Sequence, residues 1–178
     1  DENDYFFIID EINRGNLSKI FGELFMLIEK DKRGIELQLL YSDENFSVPA
    51  NVYIIGMMNT ADRSLAMLDY ALRRRFSFFT MKPGFNTPGF QAYQDYLKSD
   101  AFNKLIACVK QLNSKIAEDI SLGEGFSIGH SYFCGLTPET ANTQTLSSIV
   151  EYELIPLLKE YWFDEPAKIL DWSDRLRS

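Results

Sequence analysis

The chain has 178 residues, of which 46% are hydrophobic and 14% aromatic, a composition that favours a packed core and excludes disorder. Its 18 basic and 26 acidic residues give a net charge of −8, which argues against a main contact with nucleic acid, because such contacts depend on Lys and Arg. Two cysteines are too few for a disulfide framework, and we see no signal peptide or membrane-spanning run, so we expect a cytoplasmic protein.

The first predicted element is a strand that ends in two carboxylates. Residues 5–11 read YFFIIDE, and consecutive apolar residues of this kind are typical of a strand buried on both faces of a parallel sheet. Asp10 and Glu11 follow at its carboxyl end, where ligands bind in open α/β sheets. An Asp there can hold Mg²⁺, and an adjacent Glu can orient an attacking water, which is the Walker B arrangement.

A helix, a hairpin and a second apolar strand follow. Apolar residues at helical spacing predict a helix over residues 16–30 with Asn16 as its cap. Residues 35–40 and 46–48 flank a polar turn and predict a hairpin, either a pore loop or a simple connector. Residues 52–58, VYIIGMM, predict a strand that ends at Asn59.

The next predicted helix begins at Ser64 and ends in three arginines, Arg73, Arg74 and Arg75. Arginines at such a position can neutralise charge on a transferring phosphoryl group, whereas a solvated basic helix end is the alternative interpretation. A further apolar run over residues 76–81 predicts another strand.

A cluster of Pro and Gly at residues 82–89 predicts a break in the chain. The sequence after it is mostly helical, with one apolar face over residues 102–116 and a second helix over residues 146–161 interrupted at Pro156. We therefore predict an α/β subdomain over residues 1–82 and a helical lid subdomain over residues 83–178.

Four stretches together resemble the McrB-type AAA+ GTPases, the motor subunits of restriction systems that cut DNA containing methylated cytosine. The stretches are IIDEINRGNLSKIFGELFMLIE at 8–29, MNTADRSLAMLDYALRRRF at 58–76, IGHSYF at 128–133 and YELIPLLKEYWFD at 152–164. The resemblance implies an α/β fold, namely the C-terminal part of an AAA+ P-loop NTPase module with a parallel sheet and flanking helices, followed by a helical lid.

The resemblance also implies roles for individual residues. Asp10 would hold Mg²⁺, Glu11 and Asn59 (sensor 1) would position the water, and Arg74 and Arg75 are the candidates to act on a neighbouring subunit's nucleotide. Gly129 and His130 would lie where other AAA+ proteins place sensor 2, with a structural histidine as the alternative. Asp62 and Arg63 complete the sensor 1 loop and are the candidates for contact with a partner.

The motif G-x-x-x-x-G-K-[ST], which cradles phosphates, is absent from the sequence. Gly84 and Gly89 have the right spacing, but Phe90 stands where Lys is required. We therefore expect the phosphate-binding half to lie upstream in a parent protein and this chain alone to bind GTP poorly. In the topology that the resemblance implies, the strand before that loop lies between the strand that ends at Asn59 and the strand predicted over residues 76–81. Without this shared partner, we expect both strands to have unpaired backbone and exposed apolar surface.

By the same resemblance, we expect the parent to be a GTP-hydrolysing ring, a hexamer, that works with an McrC-type nuclease subunit and meets DNA through a separate N-terminal domain. ATP is the alternative nucleotide. The alternative function is that of a MoxR-like ATPase that remodels protein partners, and a scaffold without turnover is a third possibility.

Overall fold

A computed structural model describes residues 3–40, 42–59, 61 and 70–178. The chain divides into two compact units, Asp1–Phe79 and Thr80–Ser178. The predicted division between residues 82 and 83 lies slightly further along the chain. No helix among the described residues is both long enough and apolar enough to cross a membrane.

Two short sheets form the strand structure of unit 1. Strands β1 (Tyr5–Ile9) and β4 (Val52–Gly56) pair in parallel, with Tyr5 opposite Val52 and Ile9 opposite Gly56. Strands β2 (Leu37–Gln38) and β3 (Asn45–Phe46) form the predicted hairpin as an antiparallel pair. The predicted apolar strands on either side of this hairpin are therefore confirmed.

The helix predicted over residues 16–30 is α-helical only at its start. Helix α1 (Leu17–Phe21) begins after Asn16, whose Oδ1 accepts from the Lys19 amide at 3.0 Å, as the sequence predicts. Gly22 has φ +50, outside the helical region, and the chain continues as tighter 3₁₀ turns over Gly22–Ile28 and Lys30–Lys32. Helix α2 (Tyr70–Arg75) ends at the predicted arginines, whereas its predicted start at Ser64 lies outside the described residues.

The predicted burial of β1 on both faces is wrong. Successive side chains of a strand point to opposite faces, and both faces of β1 are exposed, with Tyr5 at 49% and Phe7 at 56% on one face. Phe6 is 63% exposed and Ile8 59%, while Tyr53 and Ile55 of β4 are 47% and 44% exposed. The expected exposure of apolar surface is confirmed for β4, the strand that leads to Asn59.

The strand predicted over residues 76–81 is also wrong, because these residues form no regular element. A strand needs a backbone partner, and none of the described strands pairs with this run. Its apolar side chains are consequently exposed, with Phe79 at 88% and Met81 at 86%.

Unit 2 is helical, as the sequence predicts. Helices α3 (Pro88–Leu97) and α4 (Asp100–Glu118) are capped by Thr87 and Ser99, whose hydroxyls accept from amides in their first turns. The C-terminal helices are α5 (Thr143–Ile149), α6 (Ile155–Tyr161) and α7 (Pro166–Arg177). The fully buried side chains of the core include Phe102, Val109, Leu112, Ile116, Phe133, Leu154, Leu158 and Trp162.

The interruption predicted at Pro156 takes the form of a π-helical turn. Val150–Leu154 joins α5 to α6, and Pro156 lies in the first turn of α6. Proline has no amide hydrogen to donate to the carbonyl four residues earlier, so a wider turn before it keeps the helix continuous while changing its hydrogen bonding.

Asp119 joins α4 to the C-terminal helices of unit 2. Its carboxylate accepts from Lys168 Nζ at 2.7 Å, from Ser121 Oγ at 2.6 Å and from the indole of the fully buried Trp162 at 2.9 Å. Donation from Lys168, followed by that from Ser121 and Trp162, holds the pKa of Asp119 well below its usual range. The carboxylate is thus stabilised in its charged form.

We predict that Asp119→Asn lowers the free energy of unfolding by about 2 kcal/mol at pH 7, because charged hydrogen bonds are lost at a largely buried site. The folded-state pKa is depressed, so this stabilisation is present above the ordinary pKa near about 4 and is lost as the pH falls toward the folded-state value. Urea unfolding of the chain from pH 7 downward should show the gap to wild type narrowing below about pH 4. Asp164→Asn, at an exposed position, is the control, and equal urea midpoints for Asp119→Asn and wild type at pH 7 would contradict the prediction.

Candidate functional site

The carboxyl ends of β1 and β4 lie at the same edge of the parallel sheet. Ile9 is opposite Gly56, so Asp10 and Glu11 leave one strand where Met57, Met58 and Asn59 leave the other. The structure therefore brings the predicted Walker B and sensor 1 segments to one edge, which is the position for ligands in open α/β sheets.

A β-bulge separates Asp10 and Glu11 from the regular ladder. Met57 donates its amide to Ile9 O at 2.8 Å, and its carbonyl accepts from the Ile12 amide at 2.9 Å. In a regular parallel ladder the second bond would come from Glu11, two residues after Ile9, so β1 has one extra residue here. A bulge changes the direction of the side chains that follow it, and the carboxylates consequently do not continue the simple alternation of the strand.

Glu11 has a left-handed backbone conformation, with φ +52. This region costs a residue with a side chain on the order of 1 kcal/mol, and such residues cluster at functional sites. The two hydrogen bonds of Met57 fix the chain on either side, and Asp10 Oδ1 accepts from the Glu11 amide at 2.9 Å. The conformation of Glu11 is therefore set by its surroundings.

The Glu11 carboxylate makes an ion pair with Arg14. Glu11 Oε2 lies 3.2 Å from Arg14 Nε without hydrogen-bond geometry, and the Arg14 amide donates to Glu11 O at 2.9 Å. The side chains are 40% and 60% exposed respectively, and ion pairs this exposed contribute only about 0 to 1 kcal/mol. The ion pair thus orients the Glu11 carboxylate. A water or a substrate could replace Arg14 in this contact at little cost in free energy.

Asn59 is exposed beyond the end of β4 and its side chain is fixed on one side. Its Oδ1 accepts from the Ala61 amide at 3.0 Å, which leaves the two Nδ2 hydrogens to donate. An amide held in this way can donate to a water or to a phosphate oxygen. The predicted partner residues Asp62 and Arg63 lie outside the described residues.

The two arginines at the end of α2 differ in their surroundings. Arg75 Nη2 lies 2.6 Å from Glu29 Oε1, and its guanidinium lies 4.6 Å from the centre of the Phe25 ring. The Arg75 side chain is 18% exposed. Arg74 is exposed and forms no ion pair with a described residue. Arg75 therefore contacts its own unit, whereas Arg74 is accessible.

His130 of unit 2 is held by the backbone. Its Nδ1 accepts from the Gly84 amide at 2.9 Å, and its ring packs beside Phe85 and Phe90. The neutral ring then carries its proton on Nε2, which makes no hydrogen bond with the described residues. Gly129 precedes this ring at the start of a 3₁₀ turn, His130–Phe133. Nδ1 of His130 thus has the backbone partner that the structural interpretation requires, while Nε2 keeps a hydrogen that it can donate.

Few side chains among the described residues are placed to bind a metal ion together. The described residues hold no cluster of three or more His, Cys, Asp or Glu side chains. Mg²⁺ in nucleotide sites typically uses one or two carboxylates together with substrate phosphates and waters, and the exposed Asp10 fits that requirement.

A further feature of unit 1 is an apolar cavity. It has a volume of 390 Å³ and is lined almost wholly by apolar side chains, among them Ile9, Phe25, Val52 and Phe76. A triphosphate needs cationic or amide donors, so this apolar cavity does not fit its phosphates.

Several contributors to the site were missed by sequence reasoning. Arg14 was detectable in principle, because it lies three residues after Glu11 and has the opposite charge. The Met57 bulge and the pairing of Arg75 with Glu29 depend on contacts between distant parts of the chain, which periodicity does not report.

Comparison with known proteins gives two family matches. Residues 2–76 match the AAA domain of the dynein-related subfamily, and residues 104–170 match the alpha-helical lid domain of McrB.

Two curated relatives are similar to the chain. The type IV methyl-directed restriction enzyme EcoKMcrB subunit of Escherichia coli K12 is 53% identical over 98% of this chain and 40% of its own length. The type II restriction enzyme BsuMI component YdiS of Bacillus subtilis 168 is 29% identical over 68% of this chain and 42% of its own length. The chain therefore spans about two fifths of the length of these relatives.

Proposed function

Because the chain belongs to the McrB-type family of AAA proteins, we propose that it supplies the hydrolytic half of an NTP-driven ring motor of a restriction system. GTP is the proposed nucleotide and Mg²⁺ the proposed cofactor, bound at the edge where β1 and β4 end. The observation that carries this proposal is the bulge, which holds Asp10 and Glu11 beside the segment that leads to Asn59.

The proposed mechanism divides the chemistry among residues of this chain. Asp10 would hold Mg²⁺, which when bound neutralises charge on the phosphates. Glu11 would accept a hydrogen bond from the attacking water and align it with the terminal phosphate. Asn59, with its oxygen engaged by the Ala61 amide, would donate through Nδ2 to that water or to a phosphate oxygen.

The arginines take separate parts in this proposal. Arg74 would reach the nucleotide of a neighbouring subunit, since its side chain is accessible. Arg75 would stabilise its own unit through Glu29 and Phe25. Each site would then need two subunits, which fits the proposed ring. The size proposed for this ring, a hexamer, follows from the family resemblance.

The lid and the partners complete the proposal. The Nε2 hydrogen of His130, after Gly129, would donate to a phosphate oxygen. Asp62 and Arg63 would contact an McrC-type nuclease subunit, and DNA would bind through a separate N-terminal domain. The similarity to two restriction-enzyme components supports the restriction setting.

A chimera tests this function. Residues 1–178 would replace the matching part of the E. coli relative, whose remainder is expected to supply the phosphate-binding loop; we name this chimera the joined protein. Hydrolysis of GTP and of ATP would be measured with and without an McrC-type nuclease subunit. We expect Mg²⁺-dependent GTP turnover that the nuclease subunit stimulates. ATP turnover that is indifferent to that subunit would instead favour the MoxR-like remodelling function.

A further inference from the structure

Ile12 closes the bulge that displays Glu11. It follows Glu11 directly, and its amide donates to Met57 O at 2.9 Å. Its side chain is buried, with 6% exposed, and belongs to the small core of unit 1 together with Phe25. The position of Ile12 therefore sets where the chain leaves the bulge.

Gly56 provides the space that Ile12 occupies. A Cβ at Gly56 would lie 2.5 Å from Ile12 Cδ1 and 3.3 Å from Ile12 Cγ2, and the first distance is too short for two carbon atoms. Gly56 ends β4 and has no positive φ, so its backbone conformation is open to any residue. A side chain at position 56 would thus require the Ile12 side chain to shift, whereas the backbone conformation of Gly56 sets no limit.

We propose that Gly56 and Ile12 are a pair of positioning residues that hold Glu11 in place through the bulge. This inference rests on the proposed role of Glu11 in orienting water. Neither residue touches the reacting atoms in this proposal. Because Ile12 is confined by the core on one side and by Gly56 on the other, a side chain at position 56 displaces Ile12, and Glu11 moves with it.

The first test is the variant Gly56→Ala in the joined protein. We expect kcat for GTP to fall by on the order of 10-fold or more, because small displacements of a catalytic group are costly. The KM for GTP should stay within about twofold, since this contact does not touch the phosphates. A Gly89→Ala variant is the control, because no atom lies within 4 Å of a Cβ at Gly89 and its φ is not positive.

The second test is a rescue. Ile12→Val removes Cδ1, the atom that a Cβ at position 56 would strike, and leaves the more distant Cγ2. The double variant Gly56→Ala with Ile12→Val should therefore recover kcat to within about threefold of wild type. Destabilisation that does not arise from this contact would not be repaired by a second substitution that makes a core side chain smaller.

A measurement on residues 1–178 alone, outside the joined protein, does not depend on turnover. Hydrogen exchange of the Ile12 amide, which reports its bond to Met57 O, should accelerate in Gly56→Ala and return toward wild type in the double variant. Exchange in α4 of unit 2 should stay unchanged. If Gly56→Ala does not fold, the double variant decides the matter, because it should fold and turn over.

Each outcome bears on a distinct claim. Wild-type kcat in Gly56→Ala, or no recovery in the double variant, would overturn the positioning role. If Glu11→Gln itself keeps wild-type turnover, the proposed function of Glu11 fails. Wild-type kcat in Gly56→Ala, together with loss of turnover in Glu11→Gln, would therefore contradict the positioning role and leave the proposed function unaffected.

Discussion

Glu11→Gln in the joined protein is expected to lower GTP hydrolysis by on the order of 10²-fold or more while leaving nucleotide binding largely intact. Gln has nearly the same shape, so it can occupy the same left-handed position in the bulge. It has no charge with which to polarise the water, and it loses the ion pair with Arg14. The chemical step should therefore slow without loss of the site.

Steady-state turnover and GTP affinity, measured side by side, check this prediction. The control is Glu118→Gln, which removes the same charge from an exposed Glu of unit 2 paired with Lys115. Turnover near the wild-type rate in Glu11→Gln would refute the Walker B assignment.

Arg74→Ala in the joined protein is expected to lower turnover by on the order of 10³-fold, the scale on which arginines of this kind act. The defect should be repaired by mixing with Glu11→Gln, because one variant keeps Glu11 and the other keeps Arg74. In equal mixtures about a quarter of the ring interfaces would combine both intact residues. Mixed rings should therefore recover part of the activity that neither variant shows alone.

Arg75→Ala is the matched comparison for this experiment. Its partners, Glu29 and Phe25, lie on its own chain, so its substitution should weaken unit 1 in a way that mixing does not repair. Activity that never returns when Arg74→Ala and Glu11→Gln are mixed would show that Arg74 does not act between subunits.

The sequence predicted the arrangement of the elements better than their contacts. Apolar runs that end in Asp10 and in Asn59 predicted both strands, and the parallel pairing of these strands brings their carboxyl ends to one edge. The expected α/β fold followed by a helical lid is confirmed by the two family matches and by the helices of unit 2. These features were predictable because hydrophobic periodicity and short motifs are local patterns that can be read from one sequence.

The errors have a common physical origin. Residues 76–81 and both faces of β1 were predicted as buried strand from their apolar character, but burial needs partners, and the described residues do not supply them. The bulge at Glu11 and the bond from Gly84 to His130 join residues at least 45 positions apart in the chain, beyond any local pattern. Arg74 and Arg75 are identical in type, and a structure is needed to separate them.

Calorimetric titration of GTP with Mg²⁺ into the chain itself, and into the joined protein, tests most directly the division of labour proposed for this chain. We predict heat of binding for the joined protein and none at micromolar GTP for residues 1–178, because the groups that act on water and on developing charge are present here without a phosphate-cradling loop. Micromolar binding of GTP by residues 1–178 would contradict that division.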